Sequence, residues 1–161
     1  MRPTIFLAIF LLPVIPAAAE DWLLEEPLFD AAYYSSVHPD LERSLGDDVR
    51  ELRKHWLRFG IEEGRRSSPV MDVSWYVARN PDLQNAFGRD NYRDALRHWL
   101  EHGLGEGRAA HPDFDPRWYL QVNPDLAAAF GANNYKRGVE HYLEFGLEEG
   151  RMGAPPKRMR E

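Results

Sequence analysis

The apolar positions of residues 92–103 recur three and four apart. Tyr92, Ala95, Leu96, Trp99, Leu100 and Gly103 share one side of a helix at that spacing. The stretch they lead into is written three times. It reads H-W-L-R-F-G-I-E-E-G-R at His55–Arg65, H-W-L-E-H-G-L-G-E-G-R at His98–Arg108 and H-Y-L-E-F-G-L-E-E-G-R at His141–Arg151. The step is 43 residues each time, and it brings His55, His98 and His141 into register, as it does Gly60, Gly103 and Gly146, and Arg65, Arg108 and Arg151. A fixed period of this size predicts a repeat architecture. Gly60, Gly103 and Gly146 are expected to end their helices, and the G-x-x-E-G-R behind each to make a tight turn with a second glycine.

Two shorter patterns come before this stretch in every unit. Phe29-Asp30-Ala31-Ala32-Tyr33-Tyr34 returns as Met71-Asp72-Val73-Ser74-Trp75-Tyr76 and as Phe114-Asp115-Pro116-Arg117-Trp118-Tyr119. Asp30, Asp72 and Asp115 read as N-caps, because a carboxylate accepts from the free N–H groups of a first turn. Pro116 follows its cap directly, where a missing N–H costs nothing. Next come His38-Pro39-Asp40-Leu41, Asn80-Pro81-Asp82-Leu83 and Asn123-Pro124-Asp125-Leu126. The residue before proline is pushed out of the helical region, so the first helix stops there. Asn80 and Asn123 are then expected to cap a second helix, with Asp40, Asp82 and Asp125 adding negative charge at its start. Gly46, Gly88 and Gly131 read as its left-handed C-caps.

The expected fold is all-α: three stacked repeats of about three short helices each, a compact solenoid-like bundle without strands. The repeats span 29–70, 71–113 and 114–154, after a lead-in segment at 20–28. A basic tail at 155–161, with Lys157, Arg158 and Arg160, is expected to be disordered. One unit is too small to cover its own aromatic faces, so neighbours are expected to supply the cover.

Residues 1–19 read as a signal peptide. They hold one basic residue, Arg2, then an apolar run broken by Pro13 and Pro16, then Ala17-Ala18-Ala19 before Glu20. Cleavage is expected after Ala19, which places the protein in the periplasm or outside the cell. An uncleaved N-terminal anchor is the other reading. Loss of Arg2 leaves 26 acidic residues against 19 of the 20 basic ones, a net charge of −7. That balance argues against nucleic acid as a partner. The chain has no cysteine, which excludes disulfides, thiolate metal sites and thiol nucleophiles.

The pattern F-D-x-x-W-Y-L-x-x-N-P-D-L-x-x-A-F-G … H-Y-L-x-x-G-x-x-E-G-R resembles a repeat of secreted and surface-associated bacterial proteins. There it often sits beside enzymatic, glycosyltransferase or hemolysin-type calcium-binding modules. The resemblance covers Phe29–Arg151 and is clearest over Phe114–Arg151. The first unit departs most: His38 stands for Asn, Leu45 for Phe, and one residue is missing between Asp40 and His55. The resemblance implies an accessory module outside the cytoplasm without an established activity.

The candidate chemistry is sparse. His98-Trp99-Leu100-Glu101-His102 matches H-x-x-E-H, in which two histidines one turn apart could hold zinc. Against it, position 102 is Phe59 and Phe145 in the other units, so His102 is expected to fill an aromatic packing slot. His55, His98 and His141 are expected to tie the third helix to an earlier one, with Asp40, Asp82, Asp125 or a backbone carbonyl as partner. Arg65, Arg108 and Arg151 are expected to reach carboxylates or helix-end carbonyls of the neighbouring repeat. Trp56, Trp75, Trp99 and Trp118, with Tyr34, Tyr76, Tyr119 and Tyr142, read as core. Trp22 lies outside the repeats; if exposed, it would suit sugar stacking or partner docking. No calcium loop, phosphate-cradling loop or nucleophile elbow is present.

The leading expectation is an exported, non-catalytic helical repeat module, without cofactor or metal, that binds a protein or polysaccharide of the cell envelope. A small zinc hydrolase built on His98, Glu101 and His102 is the second reading. A structural spacer or self-assembling protein is the third.

Overall fold

The computed structural model describes residues 20–156. The leader with its cleavage site, and residues 157–161 of the basic tail, lie outside the described residues. Among the described residues the chain is mostly helical, with nine short α-helices and one small sheet. A 3₁₀ turn over Asp21–Leu24 comes first. Helices α1 (Ala31–Val37), α2 (Pro39–Ser44) and α3 (Val49–His55) follow. Then come α4 (Val73–Arg79), α5 (Pro81–Phe87) and α6 (Tyr92–His98), and last α7 (Pro116–Val122), α8 (Pro124–Phe130) and α9 (Tyr135–His141).

Local chemistry sets the helix starts and breaks. The Asp30 carboxylate accepts from the Tyr33 amide and Asp72 from that of Trp75, each at 2.9 Å. Asp115 accepts from Arg117 and Trp118. Each such cap contributes about 1 kcal/mol. The X-Pro breaks fall at His38, Asn80 and Asn123, whose φ angles of −122°, −119° and −118° are extended. The two asparagines do not cap the second helix. Their amide N–H groups donate back to the carbonyls of Tyr76 and Tyr119, at 2.7 Å each, and close the helix before them. The helix after them begins with proline, which has no N–H to satisfy.

The third helix does not end at Gly60, Gly103 or Gly146. It runs on through them as a π-turn, with Ile61, Leu104 and Leu147 donating to the carbonyls of Trp56, Trp99 and Tyr142. The stop comes four residues later, at Gly64, Gly107 and Gly150, whose φ angles are +62°, +68° and +67°. There Arg108 N–H donates to Gly103 O and Gly107 N–H to Leu104 O, the paired bonds of a Schellman cap. The first glycine of each pair serves close approach instead. A side chain at Gly60, Gly103 or Gly146 would overlap the hydroxyl of Tyr34, Tyr76 or Tyr119.

The first and third helices of each unit pack together, α1 on α3, α4 on α6 and α7 on α9. Each unit carries its own buried apolar triplet: Phe29, Tyr34 and Trp56; Met71, Tyr76 and Trp99; Phe114, Tyr119 and Tyr142. In the third, the Phe114 and Tyr142 rings stack with centroids 4.5 Å apart. Trp75 and Trp118, expected in the core, are only half-buried on the outer side of their helices.

The start of each unit is bonded to its own end. Asp30 N–H donates to Ser67 O at 2.9 Å, Asp72 N–H to Ala110 O at 2.8 Å and Asp115 N–H to Gly153 O at 2.9 Å. The linkers that make this closure are not strand-free. Residues Arg66–Ser68 (β1) pair antiparallel with Met71–Asp72 (β2), Arg66 opposite Asp72 and Ser68 opposite Met71, with a bulge between. The chain must reverse at Pro69. The buried Ser67 and Ser68 hydroxyls donate to the carbonyls of Leu28 and Pro27, which holds the pair in place. A single bridge between His111 and Phe114 stands at the matching place one unit on.

Candidate functional site

The recurring histidines bond tyrosines, not the aspartates. Tyr34 and His55 Nδ1 are 3.0 Å apart, Tyr76 and His98 Nδ1 3.1 Å, and Tyr119 and His141 Nδ1 3.0 Å. The tyrosine lies on the first helix of the unit, so the bond ties third helix to first. Partial burial, with the nearby Arg65 and Arg108 charges, holds the His55 and His98 imidazoles below their ordinary pKa. Burial pushes the Tyr119 phenol up to about 12.

The aspartates meet the arginines instead, within the same unit and not across to a neighbour. Arg65 pairs with Asp40 at 2.9 Å, Arg108 with Asp82 at 2.7 Å and Arg151 with Asp125 at 3.0 Å. The same guanidinium groups reach Glu63, Glu106 and Glu149. Arg108 and Arg151 also donate to the Asn80 and Asn123 side-chain oxygens, at 3.0 and 2.8 Å. The hydrogen bond from Arg108 holds the Asp82 carboxyl below the usual carboxylate range. These groups therefore pin the closing turn to the start of the second helix. Their hydrogen bonds are used inside each unit.

The H-x-x-E-H match gives no convergent ligand set. His98 spends Nδ1 on Tyr76, its ring lies 5.4 Å from that of His102, and Glu101 stands 3.9 Å from His102. Among the described residues no group of three or more His, Cys, Asp or Glu is placed to hold a metal ion. Nor is the His102 slot a packing slot. Phe59, His102 and Phe145 are all exposed, each ring leaning on the histidine one turn back, with centroids 5.4, 5.4 and 5.5 Å apart.

A groove of about 770 Å³ opens beside Trp22. Trp22 stands on one wall with Glu25, Glu26 and Pro27. Leu100 and Leu104 come from the π-turn of the second unit, and Val139 and Leu143 from the third unit. Lys136, Arg137, Glu140 and Glu144 make the rim, where Arg137 and Glu140 pair at 2.7 Å. Trp22 is half-buried, with the Arg97 guanidinium over its ring. Sequence reading singled out Trp22. It missed the other walls, because their residues are ordinary positions of the helical pattern that meet only once two units are joined.

His111 was also missed. Its ring is buried, Nδ1 accepts from the Asp113 amide at 3.1 Å, and Nε2 lies 3.1 Å from the Tyr33 hydroxyl. An amide only donates, so Nδ1 is bare and Nε2 carries the proton. Burial pushes this imidazole down to about 4.

Comparison with protein-family models, with curated proteins and with solved structures gives no match.

Proposed function

We propose that the chain is an exported, non-catalytic module of three stacked helical repeats that binds a protein of the cell envelope. The groove beside Trp22 carries this reading. It is concave, with an apolar floor and charged residues of both signs around it, which suits a segment that is part apolar and part charged. The polar constellations that recur through the chain support a scaffold role, since their hydrogen bonds run within each unit. Export rests on the leader pattern of residues 1–19. A peptide segment suits the groove better than a sugar chain. Its floor is aliphatic, of Leu100, Leu104, Val139 and Leu143, with a single ring on the wall.

The test is co-sedimentation of the purified chain with envelope fractions of its host, separated into peptidoglycan, outer polysaccharide and membrane protein. Saturable pelleting with membrane protein, lost in Trp22→Ala and Leu143→Glu at unchanged helicity, is the expected result. Pelleting with a polysaccharide fraction alone would replace the ligand class. Pelleting with none would overturn the reading.

A further inference from the structure

The junctions between successive units share a socket. At the first, the Tyr92 ring rests on Gly64: a side chain there would come within 2.8 Å of it. At the second, the Tyr135 ring rests on Gly107 in the same way, at 2.7 Å. Beside each socket stands an apolar residue, Ile61 at 0 % exposure and Leu104 at 5 %. At the first junction Arg93 of the following unit also donates to the Leu57 carbonyl and to Glu62, at 2.9 and 3.3 Å.

The third unit has the same surface with nothing on it among the described residues. Gly150 has no atom within 4 Å of its side-chain position. Leu147, in the place of Ile61 and Leu104, is 44 % exposed, and Met152 beside it is 60 % exposed. Glu148 stands where Glu62 stands, and Leu143 where Leu57 does. The opposite face of the first unit carries the matching half. Val49 occupies the position of Tyr92 and Tyr135 and is 48 % exposed. Arg50 occupies the position of Arg93, and its side chain is 80 % exposed. Arg53 and Lys54 lie next to it on α3. Glu51 pairs with Arg50 and Lys54, so α3 keeps a net positive charge, whereas the third unit presents Glu144 and Glu148, with Glu149 paired to Arg151.

We infer that the outer face of the third unit docks the α3 face of a second copy of this chain, head to tail. Val49 then sits on Gly150, and Arg50 reaches Glu148 and the Leu143 carbonyl, as Arg93 reaches Glu62 and the Leu57 carbonyl. Two arguments choose this occupant: the interface continues one the chain already makes, and the charges of the two faces are opposite. The contact joins two different faces, so it does not close at a dimer and can add further copies. It adjoins the groove beside Trp22 at Leu143 and Glu144, and stands whether or not that groove binds a protein.

The test is sedimentation velocity of the full chain over a wide range of concentration and at two salt levels. Expected is a sedimentation coefficient that rises with concentration and falls back with salt. Arg50→Glu or Glu148→Arg, both at exposed positions, each weaken association about tenfold or more by setting like charges together. The double variant restores it. Circular dichroism confirms that each variant keeps its fold. A monomer at every concentration overturns the inference. So does association that ignores the single swaps, or that the double swap does not restore.

Discussion

The Tyr76 hydroxyl occupies the space that a side chain on Gly103 would fill. The same hydroxyl bonds His98 Nδ1, five residues before that glycine. Glycine is therefore what lets the first helix of the unit send a ring under the third. Gly103→Ala is expected to destabilise the protein by about 2 kcal/mol, an overpacking effect. Tyr76→Phe in the same chain returns part of the loss by removing the colliding oxygen. Gly105, where a side chain meets nothing nearer than 3.5 Å, is the control, and Gly105→Ala should be nearly neutral. Urea unfolding midpoints of the four proteins check this.

Losing the imidazole itself should cost less. His98→Ala leaves the buried Tyr76 hydroxyl without its partner, worth about 1–2 kcal/mol. Binding to an envelope fraction should not change, because the Tyr76–His98 pair lies outside the groove. A variant that kept its stability but lost binding would reverse both assignments.

The closing turn tests geometry against charge. Arg108 holds Asp82, Glu106 and Asn80 with one planar group. Arg108→Lys keeps the charge and loses the fork, so the expected loss is about 0.5–1 kcal/mol. Arg108→Gln, which loses the charge too, should fall further, and the gap between the two should shrink in high salt. Thermal melts at low and high salt measure both differences.

Acid should weaken the fold through His111. Its folded pKa is near 4, against about 6.5 in an unfolded chain. As pH falls from about 6.5 the unfolded chain takes up the proton first, so stability is complete above that value and drains away toward 4. The full effect is about 3 kcal/mol. His55 and His98 shift in the same direction and add to the slope. His111→Gln should be less stable at neutral pH, and its unfolding midpoint should fall less steeply between pH 7 and 5. Parallel profiles for the two proteins would contradict this.

What the sequence discloses here is local. Asp72 three residues before Trp75, or Asn80 before Pro81, acts within a single turn, so the helix starts and breaks follow from neighbours along the chain. What depends on distant partners stays hidden. A glycine late in a helical pattern fits a C-cap and fits a close approach equally well. Only the Tyr76 hydroxyl, supplied 27 residues earlier, decides for Gly103. The same holds for His98, whose partner among several polar neighbours is set by how α4 lies on α6. Phe59 and Phe145 mislead for another reason. Each lies one turn beyond a histidine that is itself only half-buried, so the ring leans on that imidazole at the surface and does not reach the core. The walls facing Trp22 come from two units and are legible only when those units are seen together.

The backbone bond from Asp72 to Ala110 brings the start of one unit beside its end, within a step of 43 residues. A stretch whose ends already touch is a cassette. Copying it in frame, or deleting it, asks the chain on either side to bridge no new distance. The number of units is then free to vary by whole steps during descent. Shortening by a fraction of a unit would instead leave an Asp72-type amide facing no carbonyl, and selection would remove it.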